Sequence, residues 1–248
     1  MTNPYETRKL VSEYLFFHYA EETDFSDAIP VPRGALHFPV RLVTELADPG
    51  RTTRSALDLG CAVGRSTFEL ARFAQSVIGV DYSAAFIRAA ETMRCDGKHS
   101  CEILVEGERT TEFTVRIPDG IDVSRVSFET GDASALRADI GRFDLVLAAN
   151  LLCRLPDPGK FLSTLPDLVS PGGQLLLATP FSWLPDFTDP GNWIGGRPGT
   201  GPSWDALRGA LEPHFDLQLK REMPFLIREH SRKYQYGVSL GTRWTRRS

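Results

Sequence analysis

The chain has 248 residues, enough for one large domain that buries a sizeable core. Hydrophobic residues make up 42% and charged residues 24%, which excludes a disordered or fibrous chain. The net charge of -4 gives no support for a nucleic-acid partner. Eight basic and two acidic residues occur from Lys220 onward, and we interpret this basic end as a solvated face.

The cysteines and the start of the chain bear on metal binding and location. No two of the four cysteines form a C-x-x-C pair and no histidine cluster has ligand spacing, so we expect reduced thiols and no metal site. No run of about 18 apolar residues is present to span a membrane, and the first residues do not resemble a signal peptide. The sequence therefore predicts a cytoplasmic protein with no membrane partner.

The first fifty residues predict a helical cap in front of the main fold. Residues 5–20 have the spacing of a helix with one apolar face. That face carries Leu10, Tyr14, Phe17 and His18. A second helix is expected at residues 38–46, after a loop that contains proline and glycine.

A strand, a glycine turn, a helix and a second strand follow in close succession. The predicted elements are a strand at residues 55–59, the glycine turn at 60–64, a helix at 65–73, a strand at 76–80 and a helix from 84 to about 93. The second strand ends at Asp81, and Ser83 is the expected N-cap of the second helix. This order is a βαβ unit, and its continuously apolar strands are typical of a parallel sheet covered on both faces.

The same alternation continues to about residue 180. The predicted elements are strands at residues 126–130, 143–148 and 174–178, a helix at 133–140 and a helix after Pro158. Two segments interrupt the alternation. Residues 101–117 alternate around a polar centre and predict a β-hairpin inserted before the third parallel strand. Residues 180–202 combine prolines, glycines and two tryptophans, which is typical of a long loop that covers a site.

Acidic residues lie at the ends of three predicted strands. Asp58 stands two residues before Gly60, and the second glycine of the turn, Gly64, is four residues further on. A carboxylate at this point repels a pyrophosphate and suits a ligand with a cationic end, such as the amino group of a methionine moiety. Asp81 can accept both hydroxyls of a ribose, and Asp132 can bond an adenine edge.

The strand-end motifs together resemble a known enzyme family. The segments that carry the likeness are DLGCAVGRST, VIGVDYS, FETGDA, FDLVLAANLLCRLPDP and PGGQLLLATP. They resemble the successive motifs of class I S-adenosylmethionine-dependent methyltransferases. The resemblance implies a Rossmann-like α/β fold with a seven-stranded, mostly parallel sheet and an antiparallel C-terminal hairpin, which residues 215–222 and 234–245 fit.

The same resemblance implies S-adenosylmethionine as the cofactor and assigns residues to it. Asp58, Gly60 and Gly64 would hold the methionine end, Asp81 the ribose and Asp132 the adenine. The full set expected at the cofactor is Asp58, Gly60, Cys61, Gly64, Asp81, Tyr82, Asp132, Ala133 and Asn150.

A closer resemblance lies outside the cofactor motifs. It is carried by NPYETRKLVSEYLFFHYA, ANLLCRLPDP, TPFSWLPDFT and FLIREHSRKYQYGVSLGTRWTRR, which look like the 4-mercaptohistidine methyltransferase domain of ovothiol-synthesising enzymes. This likeness implies methylation of the ring nitrogen Nπ of 5-thiohistidine or 5-selenohistidine. It also implies an iron-dependent sulfoxide or selenoxide synthase and a lyase as pathway partners. Because the synthase portion of those enzymes is absent, we expect a free-standing enzyme or an excised domain.

Such an acceptor sets particular demands on its pocket. Sulfur is a better nucleophile than the ring nitrogen, so hydrogen bonds must turn the nitrogen toward the methyl group, and a cation must hold the carboxylate. The candidates for catalysis are Asn150, Tyr14 and His18. The candidates for binding the acceptor are Asn3, Tyr5, Cys153, Arg154, Phe181, Trp183, Arg228 and Arg232. Cys153 stands where the family has an acidic residue.

We therefore expect one methyltransferase domain over residues 1–248. It divides into the helical cap at 1–50, the cofactor-binding core at 51–180, and a substrate loop with the C-terminal hairpin at 181–248. Two alternatives are a methyltransferase of another small-molecule acceptor and a non-catalytic module that binds S-adenosylmethionine as a partner of another enzyme.

Overall fold

The computed structural model describes residues 4–25 and 31–248, and alternating helices and strands make up most of both ranges. The α-helices of these residues are α1 (Arg8–Tyr19), α2 (Phe38–Leu46), α3 (Arg65–Leu70), α4 (Ala84–Asp96), α5 (Pro158–Leu168) and α6 (Ser203–Leu211). The strands are β1 (Thr53–Leu59), β2 (Ala74–Asp81), β3 (Lys98–Glu106), β4 (Arg109–Arg116), β5 (Val126–Thr130), β6 (Phe143–Ala149), β7 (Val169–Thr179), β8 (Phe215–His230) and β9 (Lys233–Arg246). No helix among the described residues is long and apolar enough to cross a membrane.

Seven strands form one sheet in the order β5-β2-β1-β6-β7-β9-β8. Neighbouring strands from β5 to β7 are parallel, whereas β9 runs antiparallel to both β7 and β8. This confirms the predicted seven-stranded sheet with an antiparallel C-terminal hairpin. The carboxyl ends of β1, β2, β5 and β6 therefore lie along one edge of the sheet.

Both faces of the sheet are buried, as the continuously apolar strands predict. Successive side chains of a strand point to opposite faces. On β6, Leu145 and Leu147 pack with α2, α3 and α4, whereas Val146 packs with α5 and α6 on the other face. Burial on both sides fixes the register of the central strands and therefore the positions of their ends.

The inserted hairpin β3–β4 forms a separate two-stranded sheet that lies against α1. Phe16 of α1 contacts Phe113 of β4, with ring centroids 4.9 Å apart. At its tip, the carbonyl of Val105 accepts a 2.6 Å hydrogen bond from the Ser231 hydroxyl in the turn between β8 and β9. Helix α1 therefore has a sheet-facing side and a hairpin-facing side.

The predicted helix at residues 133–140 is wrong, because this segment forms turns. Asp132 Oδ1 accepts a 2.7 Å hydrogen bond from the Ser134 backbone N–H, so the side chain closes a turn where the helix would begin. Helix α3 is also shorter than predicted. It ends at Leu70 because Arg72 and Phe73 bond carbonyls three residues back, which tightens the last turn.

Candidate active site

The glycine turn at residues 60–64 is held against the end of β2. The backbone N–H groups of Gly60 and Cys61 donate to the Val80 carbonyl at 2.8 and 3.1 Å. Gly64 has a φ of 82° and begins α3, and an added Cβ would lie 2.6 Å from Phe128 on β5. Glycine suits this position because a positive φ strains other residues and because a side chain would clash with Phe128.

Asp58 is buried beneath this turn and bonds the first turn of α3. Its Oδ2 accepts hydrogen bonds of 2.7 Å from both Ser66 Oγ and Thr67 Oγ1. Burial raises the pKa of Asp58 to about 6, although the two hydroxyl donors act to lower it. Asp58 therefore holds the start of α3, and its two hydroxyl partners were not predicted from the sequence.

Asp81 joins the glycine turn to the start of α4. Its Oδ2 accepts from the Ala62 N–H at 2.9 Å, and its Oδ1 accepts from the Ser83 N–H at 2.8 Å. Burial raises the pKa of Asp81, and the two backbone donors oppose that rise. Each oxygen keeps a lone pair that can accept a hydroxyl. The ring of Tyr82 beside it is 69% exposed and offers a flat apolar face.

The end of β5 lies next to Asp81. The Gly131 N–H donates to the Asp81 carbonyl at 2.9 Å, which places the exposed side chain of Asp132 and the buried Ala133 at the same edge.

Cys61 is buried in the turn, and burial raises the pKa of its thiol. Carboxylates for hydroxyl and amino groups, next to an exposed aromatic face, fit the chemistry of S-adenosylmethionine. No group of three or more His, Cys, Asp or Glu side chains that could hold a metal occurs within the described ranges.

Asn150 follows β6 and is held at two points. Its backbone has a φ of 52°, and its N–H donates to the Ala178 carbonyl at 2.8 Å. Its side-chain Oδ1 accepts a 2.7 Å hydrogen bond from the hydroxyl of Ser239, which is fully buried on β9. Ser239 was not predicted, because nothing in the local sequence pairs it with a residue 89 positions earlier.

The side of α1 that faces the sheet edge carries the predicted Tyr14 and His18. Tyr14 packs on Phe86 with ring centroids 4.7 Å apart and on Tyr5 at 6.0 Å. Burial raises the pKa of Tyr14, with smaller effects from nearby Tyr5, Arg154 and Asp81. The Tyr14 ring therefore belongs to an aromatic group with Tyr5 and with Phe86 of α4.

His18 is buried one helical turn further along α1. Burial and the charge of Arg65 lower the pKa of His18 to about 3, so its ring is neutral at physiological pH. Its Nδ1 atom is buried and has no hydrogen-bond partner among the described residues. A buried nitrogen of this kind is costly unless a ligand or water bonds it.

Arg154 and Phe187 close the other side of this space. The Arg154 guanidinium lies 4.8 Å from the centre of the Phe187 ring, and its Nη1 donates to the carbonyls of Cys153 and Ser182, each at 3.1 Å. Arg154 forms no ion pair with a carboxylate in the described part of the chain. Phe187 also lies 6.2 Å from Tyr5. Phe187 was missed, although it belongs to the loop predicted to cover the site.

Three other predicted residues follow the carboxyl ends of β6 and β7. Cys153 is fully buried, and burial raises the pKa of its thiol. Phe181 has a φ of 51° and is fixed by a bond from its N–H to Thr179 Oγ1. Trp183 donates from Nε1 to Ser203 Oγ at 2.9 Å, which ties the loop to the start of α6. Trp183 therefore anchors the loop, and the ring that contacts Tyr5 and Arg154 is that of Phe187.

The structure does not bring Arg228 and Arg232 to Asn150. Strands β8 and β9 continue past the end of β7 and carry both residues outward. Arg228 lies over the Phe16 ring at 5.0 Å, in a cavity of about 970 Å³ between α1, α4 and the β3–β4 hairpin. Arg232 is exposed in the turn between β8 and β9. The predicted Asn3 lies outside the described residues.

Comparisons with known proteins agree with this fold. A family model described as a methyltransferase domain matches residues 33–231. A ubiquinone biosynthesis O-methyltransferase of Caulobacter sp. (strain K31) is 30% identical over 124 residues, which cover 50% of this chain and 39% of that protein. The corresponding protein of Coxiella burnetii (strain Dugway 5J108-111) is 26% identical over 126 residues, 51% of this chain and 43% of its own length. The chain thus spans about two fifths of these relatives.

Solved structures share the fold at low sequence identity. N-methyltransferase NodS from Bradyrhizobium japonicum WM9, in complex with S-adenosyl-L-homocysteine, has a TM-score of 0.53 and 15% identity, covering 96% of this chain and 99% of that one. The YcgJ protein of Bacillus subtilis has a TM-score of 0.55 and 13% identity, covering 86% of this chain and 99% of that one. At such identities the likeness concerns the fold alone.

Proposed function

We propose that this chain, which belongs to the methyltransferase-domain family and uses S-adenosylmethionine, methylates a ring nitrogen of a small anionic imidazole. The acceptor we propose is 5-thiohistidine or 5-selenohistidine, and the methylated atom is Nπ. The resemblance of the flanking segments to ovothiol-synthesising enzymes supports this acceptor.

The observation that carries the proposal is the group formed by Arg154, Phe187, Tyr5 and Tyr14. Three aromatic rings stand beside one half-buried cation that forms no ion pair within the described residues. Aromatic walls favour a flat ring, and an arginine without a carboxylate partner favours an anionic group. An imidazole with a negative chalcogen and a carboxylate offers both features.

The cofactor would be held at the neighbouring strand ends. Asp81 would accept the ribose hydroxyls, Tyr82 and Asp132 would contact the adenine, and Asp58 would favour the cationic amino group. S-adenosylmethionine supplies a methyl group on a positively charged sulfur, so that the acceptor lone pair forms the new bond while the S–CH3 electron pair stays on that sulfur. The residues of this chain bind and orient the two molecules.

An anionic acceptor is compatible with the weak base on α1, because it needs no group to remove a proton. His18 has a pKa lowered to about 3, so it is a poor acceptor for a proton. Methylation of a thiolate–imidazole at a nitrogen that already carries a lone pair needs no strong general base. His18 would therefore take no proton during the transfer and would line the site as a neutral ring.

Methylation of a phenolic oxygen is the second candidate. It is favoured by the curated relatives, which are ubiquinone biosynthesis O-methyltransferases. A neutral phenol would need to lose its proton. His18, whose pKa is lowered to about 3, is too weak a base to remove it. The two candidates therefore differ in their need for a base.

A panel of acceptors tests the proposal. The protein is incubated with S-adenosylmethionine and histidine, 5-thiohistidine, 5-selenohistidine or a catechol, and the products are analysed by mass spectrometry and two-dimensional NMR. We expect the chalcogen-bearing histidines to be methylated on Nπ and histidine to react poorly. A methyl group on the chalcogen, equal turnover of histidine, or turnover of the catechol alone would refute the proposal.

A matched pair of arginine variants tests the binding role of Arg154. Arg154→Gln should raise the KM for 5-thiohistidine about tenfold or more, because the anionic acceptor loses its counter-charge. Arg208→Gln changes an exposed arginine of α6 that pairs with Glu212, so it should leave that KM unchanged.

Location and partners are also part of the proposal. The cysteines of the described residues are free thiols, which supports a reducing, cytoplasmic compartment. The enzymes that supply the acceptor would be an iron-dependent sulfoxide or selenoxide synthase and a lyase.

A further inference from the structure

The Asn150 amide accepts a hydrogen bond from Ser239 of β9. The backbone of Asn150 is fixed by its bond to the Ala178 carbonyl, so the remaining freedom of this residue is rotation of its side chain. The buried Ser239 hydroxyl donates to Oδ1 at 2.7 Å, a bond that favours this one orientation of the amide. With Oδ1 held on the β9 side, the Nδ2 hydrogens are presented on the opposite side of the amide.

When an acceptor has two nucleophilic atoms, an amide donor in a fixed position can bond one of them and leave the other to react. In 5-thiohistidine the chalcogen and Nπ lie on opposite sides of the ring carbon that bears the side chain. A hydrogen bond to the chalcogen anion occupies one of its lone pairs, lowers its nucleophilicity and holds it in place. The nitrogen lone pair then forms the bond to the methyl group, and the electron pair of the broken S–CH3 bond stays on the cofactor sulfur.

We propose that Ser239 is a positioning residue that, through Asn150, directs the methyl group to nitrogen and away from the chalcogen. This inference rests on the proposed function and adds a residue that sets the site of methylation. Ser239 itself touches neither substrate. It acts by keeping the donor side of the Asn150 amide toward the acceptor.

The first experiment measures the ratio of products. Purified wild type, Ser239→Ala and Thr242→Val react with S-adenosylmethionine and 5-thiohistidine, and NMR gives the fractions of N-methyl and S-methyl product. Thr242 is the matched control, because it is another fully buried hydroxyl of β9 and bonds the Leu177 carbonyl and Trp244 Nε1, not Asn150. Ser239→Ala should raise the S-methyl fraction about tenfold, the value of one hydrogen bond to a charged atom, whereas Thr242→Val should not.

A double variant tests whether Ser239 acts only through Asn150. In an Asn150→Ala background, the further change Ser239→Ala should leave the product ratio unaltered. Asn150→Asp serves as a second variant, since a carboxylate can still accept the Ser239 hydrogen bond but has no hydrogens to donate. It should also raise the S-methyl fraction.

An NMR measurement without turnover provides an independent readout. In 15N-labelled protein with S-adenosyl-L-homocysteine, the Asn150 side-chain NH2 signal is identified by its loss in Asn150→Asp. Added 5-thiohistidine should shift this signal downfield in the wild type and much less in Ser239→Ala. An unchanged signal while the acceptor binds would overturn the inference.

The outcomes separate the two claims. If the wild type methylates neither chalcogen-bearing histidine, the proposed function fails and this inference falls with it. If the wild type methylates nitrogen but Ser239→Ala gives the same product ratio as Thr242→Val, only the role of Ser239 is refuted.

Discussion

At the scale of single residues, the strand ends combine two tasks. Asp81 uses one lone pair of each oxygen to hold the glycine turn and α4, and the other lone pairs can accept further hydrogen bonds. Asp58 uses one oxygen to hold the start of α3. Substitutions here therefore change both the shape of the site and its charge, and the control variants must separate these effects.

Asp81→Ala should weaken the binding of S-adenosyl-L-homocysteine at least tenfold. It removes the acceptor of the ribose hydroxyls and releases the N–H groups of Ala62 and Ser83. Isothermal titration calorimetry measures the change. Asp122→Ala is a suitable control, because Asp122 likewise bonds a backbone N–H, that of Ser124, in an exposed turn. Equal dissociation constants for the wild type and Asp81→Ala would remove Asp81 from the site.

Cofactor affinity should fall as the pH drops through about 6. The pKa of Asp58 is raised to about 6 by burial, so its carboxylate becomes neutral below that pH and no longer attracts a cationic amino group. Because the folded pKa exceeds the unfolded value, the buried charge costs stability above pH 6, and a bound cation offsets that cost.

Calorimetry from pH 5 to 8 checks this prediction with Asp58→Asn as the comparison. The wild type should lose affinity several-fold between pH 7 and pH 5, and the variant should bind weakly with a flatter profile. A variant that follows the wild-type profile would assign the pH dependence to another group, of which Asp81 is the nearest.

At the scale of elements, the glycine turn depends on contacts from a distant strand. Phe128 of β5 fills the space beside Gly64 and also the space beside Gly79 of β2, where an added Cβ would lie 2.7 Å from its ring. The turn therefore has its shape because β1, β2 and β5 are neighbours in the sheet. Gly64 is therefore required for two reasons: its backbone has a positive φ, and Phe128 leaves no room for a side chain.

Gly64→Ala should destabilise the fold by more than Gly97→Ala. Both glycines have a positive φ, 82° and 71°, but only Gly64 has a neighbour within 3 Å of an added Cβ. Gly97→Ala measures the loss in free energy of unfolding that the positive φ alone causes, about 1–2 kcal/mol. At Gly64 the clash with Phe128 adds about 1–3 kcal/mol to that loss. Urea denaturation gives both values. Equal losses would show that the Phe128 contact relaxes without cost.

The elements also show what the sequence could predict. The strand ends at Asp58, Asp81 and Asp132 follow from local runs of apolar residues, and the parallel arrangement places them together. The turn at residues 133–140 was misread, because the Asp132 side chain competes with the first helical bonds. Ser239 and Phe187 were not found, because β9 and the loop bring them to Asn150 and Arg154 through long-range contacts.

At the scale of the whole molecule, α1 connects the cofactor edge to the two hairpins. The Tyr19 hydroxyl donates to the Val63 carbonyl in the glycine turn at 3.0 Å, and Phe16 packs against the β3–β4 hairpin. Before α1, the Tyr5 carbonyl accepts a 2.9 Å bond from Ser83 Oγ, next to Asp81. The same helix carries Tyr14 and His18, so the side proposed to bind the acceptor is connected to the strand ends proposed to bind the cofactor.

Binding of S-adenosyl-L-homocysteine should therefore slow hydrogen exchange in α1, although the ligand is expected at the strand ends. Ligand binding should stabilise the glycine turn, and the Tyr19–Val63 hydrogen bond should extend that stabilisation to the helix. Tyr19→Phe removes the bond and should reduce the added protection of α1. Tyr236→Phe, an exposed tyrosine of β9, should retain it. Hydrogen exchange measured by mass spectrometry at saturating ligand tests this coupling. Protection confined to residues 58–64 and 81–83 in the wild type would mean that α1 and the strand ends are not coupled.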